Sequence, residues 1–197
     1  MRMETFRLLA SPWWVNLLVL VPPLVFFLWH RDGIELSRRQ LVLAAFFALA
    51  FGVVEGAVVV YLRAAVGLLP GSRGTLTDLA SSRLDPAPQE ELLRLAPQSL
   101  LTIEMLREAA TILVLISVAL LAAPRCRERC ALFLWVFALW DVAYYVTLRA
   151  TIGWPASFTT PDVLFLIPVP WSAQVWFPIL VSALTAAAVL LTRKAPV

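Results

Sequence analysis

Glu104, Arg107, Glu108 and Thr111 stand at i, i+3, i+4 and i+7, a spacing that puts two acids and the guanidinium between them on one helical face. Asp141, Tyr144, Tyr145 and Arg149 follow the same logic at i, i+3, i+4 and i+8, and Glu55 and Arg63 lie eight apart in a third apolar run. Carboxyl groups hold protons or cations, an arginine stays charged and tunes its neighbours, and tyrosine hydroxyls donate hydrogen bonds. The four acids against Arg63, Arg107 and Arg149 leave about one negative charge uncompensated, a deficit that one shared proton or one cation would remove. Glu55, Glu104, Glu108 and Asp141 are also the candidate metal ligands, an oxygen-only set that suits Mg²⁺, Ca²⁺ or Mn²⁺.

These residues sit in a chain that is not built for water. Of its 197 residues 61% are hydrophobic and 15% charged, and the mean hydropathy is +0.84; a soluble domain has about 45–50% and about 25%. The composition predicts an all-α, polytopic transmembrane bundle forming one domain over residues 1–197. Five segments are long enough to cross a hydrocarbon core of about 30 Å: Pro12–Trp29, Leu41–Leu62, Leu100–Ala123, Ala131–Thr151 and Val175–Thr192. Pro22-Pro23 predicts a kink in the first. That segment does not read as a signal peptide, since His30-Arg31-Asp32-Gly33 follows it without a small-residue cleavage site. Asp85-Pro86 is a helix-start signal, so residues 86–96 are expected to form a short amphipathic helix on the outer surface. Val163–Trp171 is apolar but too short to span, and reads as a re-entrant or interfacial segment ended by Trp171.

Helical rise then gives the charges a depth. Glu55 is seven residues from the outer end of its segment, Glu108 eight and Asp141 ten, which is about 10, 12 and 15 Å. Three acids from three helices converge on the outer half of the bilayer. Starting the third helix after Glu108 would leave only Ala109–Ala123, about 22 Å, so Arg107 and Glu108 must be immersed. Each such charge costs about 2.5–3.5 kcal/mol at mid-membrane and is expected to face protein and pair. Asp141 is the deepest, with Arg107 and Arg149 as its expected partners. An ion pair that only holds helices in register is the competing reading for any single pair.

Fifteen of the sixteen basic residues are arginines, and most flank apolar runs. Arg31, Arg38, Arg39, Arg125, Arg127, Arg129, Arg193 and Lys194 fall on one side of a five-helix chain, which the positive-inside rule makes cytoplasmic, with the N-terminus outside. Arg2, Arg7 and the four arginines of the long outer loop argue the other way, though long loops count less. A nucleic-acid partner does not fit this pattern. Lys194, the one lysine, lies past the last apolar run, which excludes an intramembrane Schiff base, and His30 alone excludes bis-histidine haem within one chain. Cys126 and Cys130 read as reduced thiols in a cytoplasmic loop, too few for a metal site. The tryptophans near segment ends, among them Trp13, Trp14, Trp29, Trp154 and Trp171, read as aromatic belts. No GxGxxG, P-loop, GxSxG or HExxH occurs, and no cofactor is predicted beyond a divalent cation on the carboxylates.

Glu55-Gly56-Ala57-Val58-Val59-Val60-Tyr61-Leu62-Arg63, Glu104-Met105-Leu106-Arg107-Glu108-Ala109-Ala110-Thr111, Trp140-Asp141-Val142-Ala143-Tyr144-Tyr145, Gly153-Trp154-Pro155-Ala156-Ser157 and Asp162 through Trp171 together resemble a family of uncharacterised bacterial multi-pass membrane proteins. The likeness runs from about Glu55 to Pro178. It implies a bacterial inner-membrane location and no particular activity. Three function classes follow, in this order: a non-enzymatic membrane protein or complex subunit, a proton or cation pathway through Glu55, Glu108 and Asp141 tuned by Arg107, and an outer-leaflet enzyme using a divalent cation on a lipid phosphate. The expected partners are membrane lipids and, for a subunit, another membrane protein or a second copy of this chain.

Overall fold

A backbone in apolar surroundings must satisfy its own N–H and C=O groups, and the long apolar runs of this chain do so as helices. A computed structural model describes residues 7–65 and 97–194. A 3₁₀ helix, Trp13–Leu20, runs into α1, Val21–Trp29; α2 is Arg38–Ala65, α3 Gln98–Ala122, α4 Cys126–Ile152 and α5 Trp176–Thr192. Among them α2, α3 and α4 are long and apolar enough to cross a membrane, while Trp13–Trp29 and α5 are shorter apolar helices. The expected amphipathic helix at 86–96 lies outside the described residues.

The proline pair stands just past the junction of the two helix types. Pro22 and Pro23 have no N–H to give back to the turn before them, and Val21 N–H instead closes a shorter ring on the Leu18 carbonyl at the junction of the two helix types. The tighter helix is also longer for its residue count. Eight residues at about 2.0 Å and nine at about 1.5 Å give the two helices a summed rise of about 30 Å.

Helix α2 packs most intimately on α4, and Gly52 and Gly56 are the reason. A methyl on Gly52 would stand 2.6 Å from the Ala143 side chain and 2.8 Å from the Trp140 carbonyl oxygen, and one on Gly56 would stand 2.7 Å from the Thr147 methyl. Two glycines one turn apart let the backbones meet, which is how helices associate where lipid removes the hydrophobic drive.

The two ends of the bundle differ. At one, β1 (Ile34–Glu35) pairs in parallel with β4 (Arg193–Lys194), and Gln40 Nε2 donates to the Ala122 carbonyl at 2.7 Å, tying α2 to the end of α3. At the other, β2 (Pro161–Phe165) and β3 (Trp171–Gln174) form an antiparallel hairpin with a bulge between Val163 and Phe165. This hairpin stands where a re-entrant or interfacial segment was expected. Pro168 and Pro170 forbid a helix through the segment, and the branched and aromatic run before them favours a strand. Ser11 pairs with Ser172, so the N-terminal chain lies along β3. Between the ends, α2 to α5 enclose an apolar core that includes Leu41, Ala48, Leu115, Leu132, Val136 and Val189.

Candidate binding chamber

The close α2–α4 contact leaves Glu55 facing α3, where it is 4% exposed. Its Oε2 takes an ion pair from Arg107 Nη1, and its Oε1 accepts the Thr111 hydroxyl at 2.6 Å. Arg107 then grips Glu104 with two parallel bonds, Nε to Oε2 at 3.0 Å and Nη2 to Oε1 at 2.6 Å. Bidentate geometry of this kind makes the stronger class of charge-assisted hydrogen bond. One guanidinium is thereby committed to two carboxylates.

The hairpin binds one more buried acid of the same region and contributes another. Glu108 of α3 accepts the Leu166 N–H at 2.8 Å, so a helix carboxylate holds the hairpin's tip. Asp162 of β2 accepts the Tyr145 hydroxyl at 2.7 Å and the Val163 N–H at 2.8 Å. Arg63, itself buried, lies with its guanidinium 4.6 Å over the Trp154 ring and within electrostatic reach of Asp162 and Tyr144. Burial pushes the Asp162 carboxyl up to about 6, while the Tyr145 hydroxyl, Arg63 and the Val163 N–H pull it down.

Asp141 is held differently. The Ser182 hydroxyl of α5 donates to its Oδ2 at 2.8 Å, and among the described residues no guanidinium pairs with it. The expected partners are occupied elsewhere: Arg107 by the two glutamates, and Arg149 by the carbonyls of Gly153 at 2.6 Å and Pro155 at 2.9 Å. Arg149 is exposed and finishes α4, where Gly153 turns the chain at φ 71°. It is not part of the cluster in which its spacing placed it.

Most of the other predicted residues converge: Glu55, Glu104, Arg107, Glu108, Asp141, Tyr144 and Tyr145 line one cavity of about 620 Å³, together with Asp162, whereas Arg63 is not on its wall and lies over Trp154. Apolar and aromatic groups from α4, α5 and the hairpin, among them Phe133, Phe137, Trp140, Phe165 and Phe177, form the rest of its wall. With Arg149 outside and Asp162 inside, the described residues set five carboxyl groups on the wall against Arg107 there and Arg63 near Asp162, so among them acids exceed guanidiniums by three rather than by the single charge expected. Among the described residues no three His, Cys, Asp or Glu side chains converge on one point where an ion could be held. The four candidate ligands are spread: Glu55 and Glu104 on Arg107, Glu108 on the hairpin, Asp141 on α5.

Asp162, Ser182 and Trp154 are the participants that spacing arguments passed over. Asp162 carried one usable signal, an acid directly preceding an apolar segment too short to span. The glycine pair carried another, the small-xxx-small pattern of Gly52 and Gly56. Ser182 carried none, because a serine in an apolar helix has many uses. Compared with family models, curated proteins and solved structures, the chain finds no match.

Proposed function

We propose that this chain is a non-enzymatic protein of a bacterial inner membrane, crossing it five times with the N-terminus outside and the arginine-rich end in the cytoplasm, and that the chamber at its hairpin end binds positive charge. The chamber itself carries the reading: about 620 Å³ with five carboxyl groups and apolar walls, a volume within the range of about 300–1,000 Å³ typical of small-molecule sites. Acids immersed in this way are expensive to keep and mark sites that exchange protons or cations. The location follows the family resemblance and the arginine distribution. Reporter fusions after Lys194 and within residues 71–82 test the orientation, with a cytoplasmic signal from the second overturning it.

Binding is favoured over conduction by what lies beyond the chamber. Toward the arginine-rich end the bundle is filled by Leu41, Ala48, Leu115, Leu132, Val136 and Val189, all buried and apolar. A pathway needs polar groups through that layer. Proteoliposomes under a pH gradient are therefore expected to leak no faster than protein-free vesicles, and a protein-dependent flux abolished by Asp141→Asn would favour a proton pathway instead. An apolar carbodiimide, read by peptide mass spectrometry on the purified full chain, tests the binding reading. Modification is expected at Asp141 ahead of exposed Asp32, and modification at exposed acids alone would overturn it.

A further inference from the structure

We propose that the chamber takes a lipophilic organic cation, an ammonium or phosphonium centre set against Asp141 with its apolar body along Phe133, Phe137, Trp140 and Phe165. This inference rests on the reading of the chamber as a binding site for positive charge, and adds the class of occupant.

Four observations select the class. The sign is set by the excess of acids and by the commitment of Arg107 to Glu55 and Glu104, which among the described residues leaves no uncommitted guanidinium on the chamber wall for a phosphate or carboxylate headgroup. The size of the charge is set by the spread of the acids. Because no three of them meet at a point among the described residues, a compact metal ion would lose most of its hydration shell without gaining enough ligands, whereas a bulky cation of low charge density pays little for leaving water. The chemistry of the body is set by the wall: Phe133, Phe137, Trp140, Tyr144 and Phe165 present ring surface beside the carboxylates, and ring faces attract cations, most strongly where water is excluded. Trp140, 7% exposed, lines the chamber with its indole N–H unbonded among the described residues, so the wall is not satisfied by its own neighbours. Asp141 is the anchoring acid, since a neutral hydroxyl is what holds it and every other acid of the chamber has a guanidinium, a backbone N–H or both.

Tetraphenylphosphonium and tetraphenylborate have nearly the same shape and opposite charge. Added to the purified full chain in a neutral detergent, the phosphonium is expected to quench tryptophan fluorescence saturably and raise the melting temperature, and the borate to do neither. Asp141→Asn is expected to weaken phosphonium binding at least tenfold, with Arg125→Gln, at the opposite end, leaving it unchanged. Should Asp141→Asn fail to fold, Phe137→Ala serves in its place, with an expected loss of severalfold in affinity. Equal binding of the two ions, or phosphonium binding indifferent to both Asp141→Asn and Phe137→Ala, would show adsorption to apolar surface and overturn the proposal. Carbodiimide modification of Asp141 without phosphonium binding would overturn this inference and leave the chamber a charge-binding site; absence of both would remove the two together.

Discussion

At the hairpin end Arg107 meets Glu55 and Glu104 with its side chain 23% exposed, whereas at the opposite end Arg125 meets Glu35 at 2.5 Å with side chains 66% and 54% exposed. Contact distance does not distinguish the two. Surroundings do, because an exposed pair exchanges good hydration for a contact that water screens, while a buried pair has already lost its hydration and depends on its partner. Most of the acids follow the same contrast: Asp32, beside Arg127 at 3.6 Å, and Glu35 are exposed at one end, where Glu128 is the buried exception, and Asp162 and Glu55 are buried at the other. One end of the bundle carries ion pairs that stand in solvent, the other uses charge as internal structure around a cavity.

The largest effect that follows from this contrast is at Arg107. Arg107→Gln strands Glu55 and Glu104 without their cation, and removing one partner of a buried pair costs about 3–5 kcal/mol. Unfolding of the purified protein in detergent is expected to show a loss of that order. Glu104→Gln added to Arg107→Gln should restore part of it, since the second change removes an uncompensated acid. Strictly additive losses would mean that the two side chains do not interact.

Second comes the contact that sets Glu55 in place. Gly52→Ala puts a methyl 2.8 Å from the Trp140 carbonyl oxygen, which is backbone and cannot swing aside. Overpacking of this kind costs about 1–3 kcal/mol, expected here as a lower unfolding midpoint. If α2 withdraws from α4, the Glu55–Arg107 pair should loosen with it, so combining Gly52→Ala with Arg107→Gln is expected to cost less than the sum of the two.

Gly52 also marks how far the sequence could be read. Long apolar runs fix helices almost without reference to neighbours, so the segments expected from composition fall on α2 to α5 and on Trp13–Trp29, within a few residues at each end. Helical spacing likewise brought Glu55, Glu104, Arg107, Glu108 and Asp141 to one chamber, because side chains on one face of a helix share a direction. Spacing has no information about which residue of the opposite element is waiting. Arg149 has the right interval to Asp141, yet it sits in the last turn of its helix, where unpaired carbonyls attract a guanidinium. Asp162 is on a strand, so no helical period could connect it with Tyr145.

Asp162 supplies a smaller, pH-dependent effect. Its carboxyl is pushed by burial up to about 6, against 3.8 for an ordinary aspartate. A folded state that holds a proton more tightly than the unfolded chain is most stabilised below the unfolded value, and loses that contribution as pH rises through the folded one. Wild-type stability is therefore expected to fall relative to Asp162→Asn between about pH 4 and pH 6 and to run parallel with it above. Asparagine keeps one oxygen for the Tyr145 hydroxyl and gives up the bond from the Val163 N–H, a loss that does not depend on pH, so the pH-dependent part of the comparison isolates the charge. Identical pH profiles for the two proteins would place Asp162 in water.

The smallest effect expected is at Arg125. The 2.5 Å contact with Glu35 and the looser one with Glu128 at 3.9 Å give it two acids, and both raise its affinity for its own proton, but the guanidinium stands in solvent. Water and salt replace what Glu35 provides, and the entropy of holding two long side chains together offsets much of the remainder. Arg125→Gln is therefore expected to leave the unfolding midpoint within error of wild type at physiological salt, under conditions where Arg107→Gln shifts it by many degrees. Lowering the salt should bring out any difference, since screening acts on exposed pairs and scarcely on buried ones. If the two substitutions cost the same, or if salt moves Arg107→Gln and not Arg125→Gln, the two ends do not differ in solvent access, and the hairpin end is no more a protected chamber than the surface opposite it.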